Sequence, residues 1–168
     1  MCIRDSLWIV SLIVKDASIV DIFWGPAFIV LGSSLLVSMD QVYSERSLFI
    51  LFLVSLWAIR LASHIGFRNI GHGEDFRYVE WRKESGKNYW WHSFIRVFLL
   101  QGGLCTLVGV SIYFGYLNEK PLSFIETMFA STIFFIGLAW ESISDLQLKA
   151  FRKDPKNKGK ICKSGLWK

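Results

Sequence analysis

Four stretches of this chain are so long and so continuously apolar that helices in a lipid bilayer are the structure they fit. They are Ile19 to Met39, Ser47 to Gly66, Ser93 to Leu117 and Leu122 to about Trp140. Each is near the roughly 20 residues that cross a hydrocarbon core of ~30 Å. Lipid offers the backbone no hydrogen-bonding partner, so each segment must satisfy itself, and runs this long and uniform do not fit barrel strands. Composition agrees: of 168 residues 52% are hydrophobic and 16% aromatic, with eight Trp and fourteen Phe, and mean hydropathy is +0.37. The expectation is an all-α polytopic membrane helix bundle of four full spans, preceded at Leu7 to Val14 by the last turns of an earlier helix. Gly25-Pro26 inside the first full span predicts a kink. The polar hexapeptide Met1 to Ser6 joins the apolar run abruptly and lacks a signal peptide's apolar region and cleavage site. It reads as an artefactual leader, which leaves 7–168 as the domain.

The basic residues set an orientation. Net charge is +5 and the pI about 9.2. Lys15, five residues of the loop from Phe67 to His92 and eight of the tail 141–168 fall on one side, against Arg46 and Lys120 on the other. Fourteen against two predicts that the long loop and the tail face the cytoplasm. Trp90-Trp91 and Trp140 then lie where interfacial aromatics belong. The tail's charge accords with this rule and with contact to anionic headgroups, so membrane lipids are expected partners and nucleic acid is not. A phosphate-bearing ligand can use the same charge. Cys2, Cys105 and Cys162 are odd in number and lack metal-ligand spacing, and His64, His72 and His92 form no zinc-binding pattern, so no metal is implied.

Polar residues inside the spans have two readings each. Arg60 and His64, four apart with Arg68 one turn on, either face a bundle interior or, for the arginines, snorkel to headgroups. Arg96 is within a turn of the boundary, where headgroup contact accounts for it. Gln101 before Gly102-Gly103 reads first as interhelical hydrogen bonding. In the loop, Gly71-His72-Gly73-Glu74-Asp75-Phe76-Arg77-Tyr78 predicts a tight turn entering a helix with acids at its N-terminus. The same turn can instead fold over the membrane opening and bring Tyr78 and Glu74 to a substrate, the hydroxyl as proton donor and the acid orienting it.

The last span runs without a break into Glu141-Ser142-Ile143-Ser144-Asp145 and on to Arg152. Glu141 and Asp145 are four apart on one helical face, and Arg152 returns to nearly that face two turns later. No G-x-G-x-x-G follows a strand, so a nucleotide would have to bind on helix ends and loops. Glu141 and Asp145 can accept hydrogen bonds from ribose or amide groups, and Arg152 with a neighbouring Lys can pair with phosphates. The plainer reading is an amphipathic juxtamembrane helix with an electrostatic anchor.

Taken together, Lys15 through Gly25, Arg68-Asn69 with Gly73 through Tyr78, Val97 through Gly102 and Asp154 through Trp167 resemble the steroid 5-alpha-reductase-like membrane proteins, in particular their bacterial branch. The resemblance covers nearly the whole chain from Leu7. It implies NADPH bound at the cytoplasmic side of a helical membrane fold, and reduction of a carbon–carbon double bond conjugated to a ketone in a lipophilic substrate. It also implies a bacterial inner-membrane location. An acid on the junction helix and an Arg seven residues later contact the cofactor in relatives, a spacing that falls here on Asp145 and Arg152. Glu141 stands where relatives present Asn, and Asn157 is grouped with the cofactor residues. In the family a Ser-Arg-His-Pro-Asn-Tyr type motif and further helices follow the Gly-Leu-Trp segment. The expectation is therefore a partial domain that does not hold NADPH tightly. Two rival readings remain: a membrane methyltransferase like those acting on isoprenylcysteine, with S-adenosylmethionine as cofactor, and a helical scaffold whose basic tail binds anionic lipid.

Overall fold

A computed structural model describes residues 2–40, 44–69, 71, 73–118 and 120–168. Every regular element among them is helical, and the chain divides into two compact units, Met1–Pro121 and Leu122–Lys168.

In the first unit, α1 (Cys2–Val14) ends at Lys15, whose φ of +56° turns the chain out of the helix. The short α2 (Ile19–Ile22) and α3 (Trp24–Ser38) follow, with Phe23 between them. The expected first full span is thus divided, and α3 at 15 residues is shorter than a bilayer crossing. Pro26 falls in the first turn of α3, where a missing N–H breaks no helical bond, so Gly25-Pro26 starts a helix instead of kinking one.

Among the described residues three helical runs are long and apolar enough to cross a membrane: α4 (Glu45–Asn69), the continuous run Phe76–Tyr116, and α8 (Phe124–Lys153). The second run corrects the expected loop 67–92. It comprises α5 (Phe76–Ser85), a 3-10 turn at Gly86–Asn88, α6 (Tyr89–Ser93), a π-helical stretch Phe94–Leu99 and α7 (Leu100–Tyr116). The helix start expected after Glu74-Asp75 is present, but the helix continues through the polar segment into α7 instead of giving way to a loop, since charged residues are compatible with a surface helix once a cap starts it. Asp75 supplies that cap by accepting from the Arg77 backbone N–H at 3.0 Å.

Close helix crossings build the core. A Cβ on Gly25 would lie 2.5 Å from the Ala58 carbonyl oxygen, so α3 and α4 meet backbone to backbone there. Phe28, Leu36, Cys105, Ile112 and Tyr116 form one buried cluster, with Phe28 edge-on to Trp24 and Trp57. A second cluster joins Ala17, Val20, Tyr78, Val97 and Phe98. The π-helical stretch buries Val97 and Phe98 in succession. Within this unit Ala17 and Ser18 bond to Glu74 and Asp75 at one end, and Arg46 bonds to the Lys120 carbonyl at the other. Within the first unit the connection at Lys15 and the turn before α5 therefore share one end, and the Arg46 and Lys120 connections share the other.

The second unit is α8 and a folded tail. A capping box starts α8: the Glu126 backbone N–H donates to the Ser123 hydroxyl, and Glu126 accepts from the Ser123 N–H at 3.1 Å. The helix then runs 30 residues, about 45 Å at 1.5 Å per residue, so the apolar segment and the polar junction are one continuous element. Asp154 caps a 3-10 turn at Pro155–Asn157, after which the chain folds back along α8. The Leu166 N–H donates to Gln147 Oε1 at 2.8 Å, and the Trp167 indole N–H to the Ser144 carbonyl at 2.8 Å.

Candidate functional site

In the first unit an acid that interrupts an apolar run gathers polar groups from two other helices. Asp21 lies in α2 between Val20 and Ile22, and its side chain is 15% exposed. The Tyr78 hydroxyl from α5 donates to its Oδ1 at 2.9 Å, and Arg77 to its Oδ2 at 3.2 Å. From α7, the Gln101 amide lies 3.5 Å from both Asp21 Oδ1 and the Tyr78 oxygen, at the outer limit of a bond. Tyr78 is 2% exposed, its ring edge-on to Trp81 at 5.7 Å between centroids. The phenol proton is thus committed to Asp21, and Gln101 is the weakest partner in the network.

Two arginine–carboxylate pairs hold the turn before α5 against the α1–α2 connection. Arg82 grips Glu74 through both carboxylate oxygens, at 2.7 and 3.1 Å, and also donates to the Lys15 carbonyl. Glu74 in turn accepts from the Ala17 N–H at 2.9 Å. Arg77 grips Asp75 in the same forked way at 3.0 and 3.1 Å, and the Asp75 N–H donates to the Ser18 hydroxyl at 2.7 Å. The Arg77 guanidinium holds the Asp75 carboxyl below its ordinary range, against a smaller opposing effect of burial. Arg82 also lies 4.1 Å above the Tyr89 ring. Positive φ at Gly71 (+81°) and Gly73 (+72°) makes the tight turn that the sequence predicts. His72 lies outside the described residues.

Within the second unit an open groove of about 650 Å³ lies between the end of α8 and the folded tail. Leu148, Phe151, Ile161 and Cys162 line it together with Arg152, Lys153, Lys158 and Lys160. Asn157 also lines it, but its amide donates to the Phe151 carbonyl at 3.0 Å and so closes the C-terminus of α8. Asp145 and Glu141 lie on α8 two and three turns before Arg152, half-buried and outside the groove lining. Of the expected cofactor residues, Arg152 and Asn157 meet at one groove, while the two acids stay apart from it.

The expected Tyr78 and Glu74 are near one another in sequence but make separate contacts, Tyr78 to Asp21 and Glu74 to Arg82. Asp75 takes the capping role, and Gln101 the interhelical one. Asp21, Arg77 and Arg82 were missed as site residues. Asp21 carried a usable signal, since an ionisable residue in an apolar run requires a partner. The arginines carried none, because a polar surface helix gives no hint of which charge faces inward.

These features define an all-helical membrane protein with a partly buried acid–phenol–amide cluster in one unit and a cation-lined groove in the other. The chain belongs to the DUF1295 family, a protein family of unknown function, which matches residues 7–168. No curated protein and no solved structure matches it.

Proposed function

We propose that the protein is a membrane-embedded NADPH-dependent reductase of a lipophilic enone, with α5 and the tail toward the cytoplasm. The observation that carries the reading is the buried Tyr78–Asp21 pair, a phenol whose proton is held by a carboxylate beside the loosely bonded Gln101 amide. When its hydroxyl turns from Asp21 to a bound substrate, such a phenol can deliver that proton to an enolate oxygen, and the carboxylate holds the hydroxyl in place until then. Glu74 is a positioning residue, holding the entry to α5 through Arg82.

The groove's donors fit a dinucleotide phosphate. Arg152, Lys153, Lys158 and Lys160 supply four cations, and Leu148, Phe151 and Ile161 supply apolar surface for a ring. On this reading Arg152 holds phosphate, Asp145 and Glu141 accept from ribose or amide groups, and Asn157 fixes the groove's shape. When bound, NADPH supplies the hydride, and the protein contributes binding, orientation and the proton.

The test is NADPH titration of the whole protein held in lipid nanodiscs. Arg152→Ala and Asp145→Ala should each raise Kd about tenfold or more, the loss expected for one charge-assisted hydrogen bond. Unchanged affinity in both variants removes the site assignment. Saturable binding of S-adenosylmethionine without NADPH binding would replace the reductase with a methyltransferase.

A further inference from the structure

The groove of the second unit has two unlike ends. Its cations lie at and beyond the C-terminus of α8: Arg152 and Lys153 in the last turn, Lys158 and Lys160 in the tail. Trp167 is also part of the lining. Its indole N–H donates to the Ser144 carbonyl at 2.8 Å, which fixes that edge of the ring about 12 Å back along α8 from Arg152. Ser144 stands between Ile143 and Leu146, the last large apolar residues exposed on α8. The indole end of the groove therefore borders the apolar span, and the cation end lies farther from it.

The indole is held in place by the chain on either side of it. Gly165, left-handed at φ +61°, approaches the Gln147 amide so closely that any Cβ would collide with it. That approach lets the Leu166 N–H donate to Gln147 Oε1 at 2.8 Å, one residue before Trp167. Two adjacent bonds to α8 thus anchor the ring while the residue stays 41% exposed. Its polar N–H edge is turned to the helix, so what remains open is aromatic carbon, the surface on which a planar ring stacks.

We infer that Trp167 is the stacking surface for the nicotinamide ring and discriminates between the cofactor's oxidation states. The inference rests on the reductase reading. With the phosphates among the cations, a dinucleotide has one ring to place at the indole end. The substrate is lipophilic, so the ring that must meet it is the one beside the apolar span. Oxidised nicotinamide carries a positive charge and the reduced ring none, and an indole face attracts a cation. Trp167 therefore favours NADP⁺ over NADPH. Adenine is neutral in both and would gain no such difference.

Calorimetric titration of the whole protein in lipid nanodiscs with NADP⁺, NADPH and 2′,5′-ADP, the adenine half alone, tests this. Trp167→Leu should weaken NADP⁺ about fivefold more than NADPH and leave 2′,5′-ADP unchanged. That factor corresponds to about 1 kcal/mol of cation–π attraction. Trp167→Phe keeps a weaker π face and should lose only part of the difference. An unchanged ratio of NADP⁺ to NADPH affinity in both variants overturns the inference. So does uniform weakening of all three ligands in Trp167→Phe, which would assign the ring to adenine or to the tail's own structure. Should Trp167→Leu also lose 2′,5′-ADP, the tail has opened, and the ratio in Trp167→Phe alone decides. Unaltered parent protein that binds neither dinucleotide refutes the reductase reading and this inference with it. A parent that binds both, with the ratio unmoved in the variants, refutes the role of Trp167 alone.

Discussion

At the residue scale the chemistry rests on where one proton points. Tyr78 donates to Asp21, and its ring is buried with Val20, Val97 and Phe98. Tyr78→Phe keeps the ring and its contacts with Trp81 but leaves Asp21 one donor short. The expected cost is about 1–2 kcal/mol of unfolding free energy, the penalty for a lost bond to a buried group whose other partners remain. The reductase reading adds a second consequence: enone turnover should fall at least tenfold while NADPH affinity is unchanged, because the phenol lies in the unit without the groove. Thermal unfolding in detergent and single-turnover kinetics measure the two effects separately. Full turnover in the phenylalanine variant would remove Tyr78 from the chemistry. Sequence reasoning reached Tyr78 through its acidic, Gly-flanked neighbourhood and reached its function only as an alternative to capping. It did not reach Asp21 as the partner, since that pairing joins positions 57 residues apart and only tertiary structure creates it.

At the element scale, helix type and extent were largely legible and helix breaks were not. Apolar length made α4 and α8 readable, and the continuity of α8 beyond Trp140 followed from its unbroken polar periodicity. The division at Phe23 was not readable, because Gly25-Pro26 is equally compatible with a kink and with a first turn. What decides it is the close approach of Gly25 to Ala58, a constraint imposed by α4. The start of α5 was legible from the acids at Glu74-Asp75, but its extent to Ser85 and its continuity with α7 were not, since the Asp75 cap and the Arg77 and Arg82 pairs form only in the folded chain. The crossing is directly testable. Gly25→Ala drives a methyl against the Ala58 backbone, which cannot rotate aside as a side chain can, and should destabilise by about 1–3 kcal/mol. Gly103→Ala is the control, because a Cβ there meets nothing within 4 Å and should be neutral or slightly stabilising as a better helix former. Equal melting temperatures for the two variants would show that α3 and α4 do not cross at Gly25.

For the whole molecule, the sequence separates the connections by charge, and the first unit separates part of them by contact. Glu74 and Asp75 reach Ala17 and Ser18 at one end, while Arg46 reaches the Lys120 and Pro121 carbonyls at the other. Contact fixes which connections share an end but not which end faces the cell interior. Charge supplies that direction, because basic residues near span ends resist translocation, and here the bias is fourteen to two. The expected topology places Lys87 and Lys158 inside and Lys120 outside. Single-cysteine reporters Lys87→Cys, Lys120→Cys and Lys158→Cys, with Cys2, Cys105 and Cys162 changed to Ser, read this out with a membrane-impermeant maleimide. Lys120→Cys should label in intact cells, whereas Lys87→Cys and Lys158→Cys should label only after permeabilisation. The reverse pattern would invert the protein and place the proposed cofactor groove away from cytoplasmic NADPH. Labelling of Lys87→Cys and Lys120→Cys from the same side would contradict the two-ended arrangement of the first unit itself.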